Sequence, residues 1–339
     1  MELGAVVVVP AEGDVAAVHE AEPRAMAPAE NSRPLYSSRV PILGNDVLRS
    51  WMERVRKLGV PSVWLTSSPS DESVTSSVLA GFAQRGVERL LVIKLKSYAE
   101  LDLADLLRFH CEKRNPVTEA QDVRGRLGVS LLDHLALRTA REKYELPGAA
   151  TDSRQAAYQF NGYAKRILSA SGRQELVRDA LTGACAIRPL GTEIREQVWI
   201  GEGVKLANSA RVIGPAYIGA RTIVGAGATI GPFASVEPDC VVDCGTTVER
   251  STVLPHTYLA PGLLIRHGLV DGGQLEDLDW GTVADLNPAG LGSRIHRLEE
   301  RRQAFSKTAT DVFSRAARAS ARGFTRPPTA SQPWVEVRL

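Results

Sequence analysis

Between Ile194 and Leu254 aliphatic residues return every six positions: Ile200, Leu206, Val212, Ile218, Val224, Ile230, Val236, Val242, Val248 and Leu254. Two residues before each lies a second candidate for the interior, mostly small or β-branched, such as Ala216, Thr222, Ala228, Ala234, Cys240 and Thr246. Glycine follows the aliphatic position at Gly201, Gly219, Gly225 and Gly231. A period of six matches neither the 3.6 of a helix nor the two-residue alternation of a simple sheet. It predicts short strands joined by tight turns, each hexad forming one side of a parallel β-helix coil. The small partner leaves the aliphatic residue room on the narrow inside of the coil.

The first half of the chain shows a different rhythm. Ala5 to Val9 read as a buried strand, and Pro10 to Pro41 as loop. Asn45 or Asp46 can cap a helix through Val47, Trp51, Val55 and Leu58 that Gly59 closes. Strands at Val63–Leu65 and Leu90–Leu95 alternate with a helix opening at Ser70 and another over Leu101–Cys111, with Asp102 as a cap. Strand and helix in alternation predict a parallel sheet covered by helices. Residues 127–143 ("LGVSLLDHLALRTAREK") are read as an amphipathic helix through Leu131, Leu135 and Arg138. A final helix is predicted from 294 to 320, with Ile295, Leu298, Phe305 and Val312 on one stripe and arginines beside it. The residues beyond Gly323 promise an ordered fragment at best.

At 339 residues the chain is long enough for two domains, and its 44% hydrophobic and 24% charged content is that of a soluble globular protein. The net charge of +2 conceals an uneven distribution: residues 294–339 hold ten Lys/Arg against four acids. That basic segment has few aromatics, which argues against nucleic acid. Packing on the β-helix or on a partner subunit is the favoured reading, with a peripheral membrane contact as the alternative. No stretch is long and apolar enough to span a bilayer, and no signal peptide is evident, so the expectation is a cytoplasmic protein. The four cysteines (Cys111, Cys185, Cys240, Cys244) show no metal-ligand spacing and read as free thiols.

The hexads from "IGPAYIGARTIVGAGATIGPF" onward resemble the left-handed β-helix of sugar-nucleotide pyrophosphorylases and hexapeptide acyltransferases. Handedness comes from that resemblance, not from the period. In the first half "RPLYSSRVPILGNDVLRSWMERVRKLGVPSVWL" and "LLVIKLKSYAELDLADLLRFHCEKR" resemble two segments of the nucleotidyltransferase domain of mannose-1-phosphate guanylyltransferase-type enzymes, in the family's order. The resemblance implies a reduced Rossmann-like nucleotidyltransferase domain (1–185), a left-handed β-helix (186–270) and a C-terminal helix with a basic tail (271–339). It also offers residues 127–143 an alternative as a worn version of a segment of the family.

Nucleotidyl transfer needs a backbone-rich loop around the phosphates, a basic residue and carboxylates for Mg²⁺. Where the family has its glycine-rich loop this chain keeps only Gly13, between the acids Glu12 and Asp14. The family's next lysine corresponds to Arg33, and its metal-binding aspartate to Lys96. A lysine cannot ligate Mg²⁺. A shift of the correspondence would bring in Glu100 or Asp102 instead, both in the segment that starts the following helix. Asn161 and Gly162 correspond to a sugar-contacting segment, with a surface turn as the competing reading. His256 and His267 are the candidates for the histidine base of an acyltransferase. The resulting expectation is a nucleotidyltransferase-like protein of sugar-nucleotide or polysaccharide metabolism. It is catalytically impaired, acts by binding or by assembly as a homo-oligomer, and needs Mg²⁺ only if active. The alternatives are an active divergent guanylyltransferase-type enzyme or, behind it, an acyltransferase.

Overall fold

The computed structural model describes residues 3–10, 41–60, 62–68, 81–82, 84–137, 155–286 and 334–338. The helix expected at 294–320, with its basic stripe, lies outside these residues.

The first half is built on a seven-stranded sheet. In chain order it contributes β1 (Leu3–Pro10), α1 (Val47–Lys57), β2 (Ser62–Ser68), β3 (Arg89–Lys94), β4 (Ser97–Ala99), α2 (Leu103–Lys113), β5 (Val117–Asp122), β6 (Gly125–Asp133), β7 (Gln155–Gln159), β8 (Ala164–Arg166) and α3 (Ala170–Leu181). Across the sheet the order is Trp334–Arg338, β2, β1, β3, β6, β5, β7. β1 runs parallel to β2 and β3, whereas β6 is antiparallel to both β3 and β5. β4 and β8 form a separate two-stranded ladder.

Both faces of the sheet are covered around β1 and β3, so these central strands are apolar throughout rather than alternating. Ala5, Val7, Leu91 and Ile93 face α1 (Val47, Trp51, Val55) and α2 (Leu103, Leu106). Val6, Trp64, Leu90 and Val92 face the other way, onto Phe82, Ala136 and Leu137. The Trp64 and Phe82 rings lie 4.2 Å apart between centroids. Asp46 and Asp102 cap α1 and α2 as expected, each accepting from the second and third amides beyond it.

The sheet is mixed and not parallel as expected, because β6 and Trp334–Arg338 run antiparallel to their neighbours, and two further expectations are corrected. Residues 127–133 are not helical but belong to β6. Leu127, Val129 and Leu131 alternate onto one core while Leu132 enters the other, a two-residue rhythm hidden by the leucine-rich composition. Pairing with β3 and β5 on either side settles the backbone as strand. The chain's last residues, expected to be little more than a fragment, form the strand Trp334–Arg338 on the outer edge of β2, antiparallel to it.

Residues 198–271 form a solenoid with three parallel faces. One face stacks Val198–Ile200, Ala216–Ile218, Ala234–Val236, Thr252–Val253 and Gly268–Asp271; each of the other two stacks four strands. The hexad residues Ile218, Val224, Ile230, Val236, Val242 and Val248 fill the interior with Ala228, Ala234 and Cys240. Ladder partners are eighteen residues apart as far as Val236, in line with three hexads per coil. After Val248 one residue drops out: Val236 pairs with Val253, and Val242 with Leu259. Leu254 is therefore not the tenth interior residue of the series. It is buried on the outside of the coil, against Ala170 of α3 and Leu269. The first coil is also less enclosed than the pattern implies, with Leu206 39% exposed. Antiparallel strands extend one face at both ends: Thr192–Arg195 before the first coil, and Gln274–Asp277 with Thr282–Asp285 after the last.

Candidate functional site

In sheets of this kind ligands gather beyond the carboxyl ends of the parallel strands. Here β3 ends at Lys94, and a tight turn follows in which Lys96 N–H donates to the Lys94 carbonyl (2.7 Å). Leu95 between them is fully buried, and its N–H donates to the Val8 carbonyl (3.1 Å), tying the turn to β1. Both lysines are half-buried. Beside them the β5–β6 hairpin reaches past the end of β3. Gly128, at φ +78°, allows this approach, because a Cβ there would lie 2.7 Å from the Lys94 carbonyl oxygen.

The hairpin and β8 bring further charge to the same edge. Arg166 donates to Asp122 (2.8 Å) and to the Gly125 carbonyl (3.1 Å), while Arg126 pairs with Glu119 (2.9 Å). Arg124 lies exposed in the hairpin turn. The described edge thus carries Lys94, Lys96, Arg124, Arg126 and Arg166, with Asp122 bonded to Arg166 and Glu119 to Arg126. Such a surface favours an anion.

The sequence-derived candidates fare unequally. Lys96 stands at the carboxyl end of β3. Gly13 and Arg33 lie outside the described residues. Asn161 and Gly162 are exposed and follow β7, three strands from β3, or roughly 14 Å at the usual strand spacing. A Cβ at Gly162 would run into the Phe160 ring, which accounts for that glycine by local packing. They are not brought to Lys96. The chain returns toward it only at Ile167, whose N–H donates to the Lys96 carbonyl (3.1 Å).

Neither shifted carboxylate supplies a metal ligand. Glu100 accepts from Ala186 N–H and from the Tyr98 hydroxyl, and Asp102 accepts from Ala104 and Asp105 N–H at the start of α2. Burial, with Glu100 next, pushes the Tyr98 phenol up to about 12. Among the described residues no group of three His, Cys, Asp or Glu side chains is placed to hold a metal ion. The Mg²⁺ implied by the resemblance therefore does not fit the described residues, which offer an ammonium where a carboxylate is needed.

The two histidines sit at different corners of the last solenoid coil. His256, in a left-handed corner (φ 59°), is exposed, with Nδ1 4.0 Å from Asp239. Asp239 is already held by Arg221 through two bonds of 2.6 Å. His267 is more ordered chemically: its Nδ1 lies 2.5 Å from Asp279 Oδ1.

Sequence reasoning missed Lys94, Arg126 and Arg166. The signal for the first was the pair of lysines flanking a buried leucine in "IKLK". The arginines carried none, because strand pairing brings them to the edge, Arg126 through the β5–β6 hairpin and Arg166 through the β4–β8 ladder. A family model described as "Bacterial transferase hexapeptide (six repeats)" matches residues 197–232, about two coils of the solenoid. No curated protein matches the chain. The matched stretch is similar to hexapeptide repeats of bacterial transferases, and it does not reach the sheet half. No helix among the described residues is long and apolar enough to cross a membrane.

Proposed function

We propose that this chain is a relative of the sugar-nucleotide pyrophosphorylases that binds a nucleotide-sugar at the carboxyl edge of its sheet without transferring a nucleotidyl group. The observation that carries the reading is Lys96. It stands at the turn after β3, where the resembling enzymes place a metal-binding aspartate, and with Lys94, Arg126 and Arg166 it makes the edge cationic. Fixed cations attract a diphosphate by charge, but in-line transfer also needs a metal to bridge and neutralise the reacting oxygens. Further support comes from the order of parts. The two segments that resemble the nucleotidyltransferase domain cover α1–β2 and β3–α2, and a hexapeptide solenoid, left-handed in the resembling proteins, follows them.

The same reading makes the chain a homo-oligomer in sugar-nucleotide or polysaccharide metabolism. Among the described residues no strand pairs with the outer edges of Lys205–Leu206 and Arg211–Val212, where Arg195 donates to the Val212 carbonyl (3.1 Å), and Leu206 and Ile213 are exposed beside them. Unpaired strand edges are commonly covered by a partner. The test is a thermal-shift screen of nucleotides and nucleotide-sugars on the wild-type protein and on Lys94→Ala, Lys96→Ala and the double variant. The proposal expects stabilisation by a nucleotide-sugar that each variant weakens and that high salt removes. No shift with any nucleotide-sugar sinks it.

A second reading, acyl transfer, has one specific observation in its favour. Asp279 holds His267 Nδ1, which orients the ring and leaves Nε2 to take a proton from an acceptor hydroxyl or amine. Release of free CoA from acetyl-CoA in the presence of an amino-sugar acceptor, lost in His267→Ala, would support it. No CoA release from the wild-type protein would end it.

A further inference from the structure

On one solenoid face the residues following three successive strands form a column: Gly201, Gly219 and Glu237. The glycines are dictated by packing, since a Cβ at either would strike the backbone of the next coil. Glu237 departs from the column, is fully buried, and reaches out of the solenoid into the sheet half. Its Oε1 accepts from Leu43 N–H (2.7 Å) and its Oε2 from Gly44 N–H (2.9 Å), with Ser235 Oγ 3.1 Å from Oε1.

The receiving turn is shaped for this contact. Leu43 (φ 52°) and Gly44 (φ 78°) are both left-handed, and Ile42 and Asn45 close the turn with two bonds of 2.9 Å. Successive residues in such conformations aim adjacent amides at one point, a concavity that favours an anion. Other parts of the chain hold the turn as well. Leu190 N–H donates to the Leu43 carbonyl (3.0 Å), Asn45 Nδ2 to Arg188 O (2.7 Å), and the buried Arg173 of α3 to Pro41 O (2.6 Å). From the solenoid's own coils Glu237 accepts the two amide bonds, and Tyr217 packs into the core beside the turn. Asp46, the cap of α1, follows at once. A helix that crosses back over the sheet begins at the carboxyl ends of the parallel strands, so this turn belongs to the same edge as Lys94 and Lys96.

We propose that Glu237 is a positioning residue: by holding the Leu43 and Gly44 amides it fixes the start of α1 at the carboxyl edge, so that anion binding there depends on a carboxyl group of the solenoid. The dependence on ligand rests on the nucleotide-sugar reading above; the fixing of α1 does not. The experiment compares full-length wild-type protein with Glu237→Gln and Glu237→Ala by two readouts. One is hydrogen exchange in peptides covering residues 41–47; the other is the Kd for GDP-mannose by calorimetry.

In Glu237→Ala exchange at Leu43 and Gly44 should rise at least tenfold, while solenoid strands such as Ala216–Ile218 keep their protection. The Kd should weaken at least tenfold. Glu237→Gln, whose single amide oxygen can accept one of the two N–H groups, should fall between, and it serves as the test if the alanine variant does not fold. Unchanged exchange at Leu43 and Gly44 overturns the proposal, as does raised exchange with an unaltered Kd. If the wild-type protein binds no GDP-mannose while exchange rises in Glu237→Ala, the nucleotide-sugar reading falls and the positioning of α1 stands.

Discussion

Val236 lies against Val253, seventeen residues further along the chain, and not against Leu254. The preceding coils separate Val198 from Ala216 and Ile218 from Val236 by eighteen. One residue is thus lost per turn in the later coils, and Leu254 is turned outward to pack α3 onto the solenoid. Two substitutions separate these roles. Val224→Asp leaves an unpaired carboxylate in the interior and should destabilise the solenoid by several kcal/mol, about 3–5. Leu254→Ala should cost about 2–4 kcal/mol by opening a cavity, with increased hydrogen exchange in α3 rather than in strands Ile223–Val224 and Val241–Val242. A melting temperature for Val224→Asp within a degree or two of wild type would mean that the register is wrong.

The terminal strand should matter to the sheet it joins. Deleting residues 334–339 removes one of the two main-chain partners of β2 over Ser62–Thr66, leaving β1 on the other side. The expected loss is on the order of 2–3 kcal/mol, with hydrogen exchange accelerated in β2 before β3. Unchanged protection of β2 would show that the pairing does not persist in solution.

The four thiols should divide into two pairs. Cys244 is exposed and Cys111 half-buried, whereas Cys185 and Cys240 are buried. Burial raises both buried thiols, that of Cys240 to about 12. Thiolate is the reacting species, so a thiol reagent at pH 8 should label two cysteines in the folded protein and four only after denaturation. Fast labelling of Cys240 would contradict the enclosed solenoid core.

Glu237 gives stability a defined pH dependence. Burial raises its carboxyl from the ordinary 4.5 to about 7, although the Gly44 and Leu43 amides, Arg173 and Ser235 pull it back. Tyr217, the phenol packed nearby, is raised as well, chiefly by burial and then by Glu237. Between pH 4.5 and 7 the folded chain holds a proton that the unfolded chain has released. This contribution is therefore complete below about 4.5 and is lost as pH rises through 7, on the order of 3 kcal/mol in all. Glu237→Gln cannot titrate. The advantage of wild type over Glu237→Gln in melting temperature should shrink from pH 5 to pH 7.5. A gap that is flat or widens with pH contradicts the assignment.

Legibility in the sequence follows the range of the interactions. The hexads from Ile218 to Val248, the caps Asp46 and Asp102, and the apolar strands β1 and β3 are written within a few residues and are legible in the sequence. β6 was not, because Leu127, Leu131 and Leu132 suit a helix until β3 and β5 are present to pair with the backbone. The shortened coil stayed hidden because an aliphatic residue occupies both 253 and 254. At the candidate site Lys96 could be reached by resemblance. Arg126 and Arg166 could not, since they arrive through a hairpin and the β4–β8 ladder. Nor could the clasp between Glu237 and Leu43, whose partners are 194 residues apart.

The central claim is binding without transfer, and pyrophosphate release tests it most directly. The wild-type protein, with Mg²⁺, GTP and mannose-1-phosphate, and then with other nucleoside triphosphate and hexose-1-phosphate pairs, should release no pyrophosphate above background. Each ~1.4 kcal/mol of transition-state stabilisation is worth a factor of ten in rate, and metal ions supply several kcal/mol in such reactions. A lysine in place of the metal carboxylate should therefore cost orders of magnitude. Release at ordinary enzyme rates, about 1 per second or faster, would contradict the account and the correspondence of Lys96 with the metal position on which it rests.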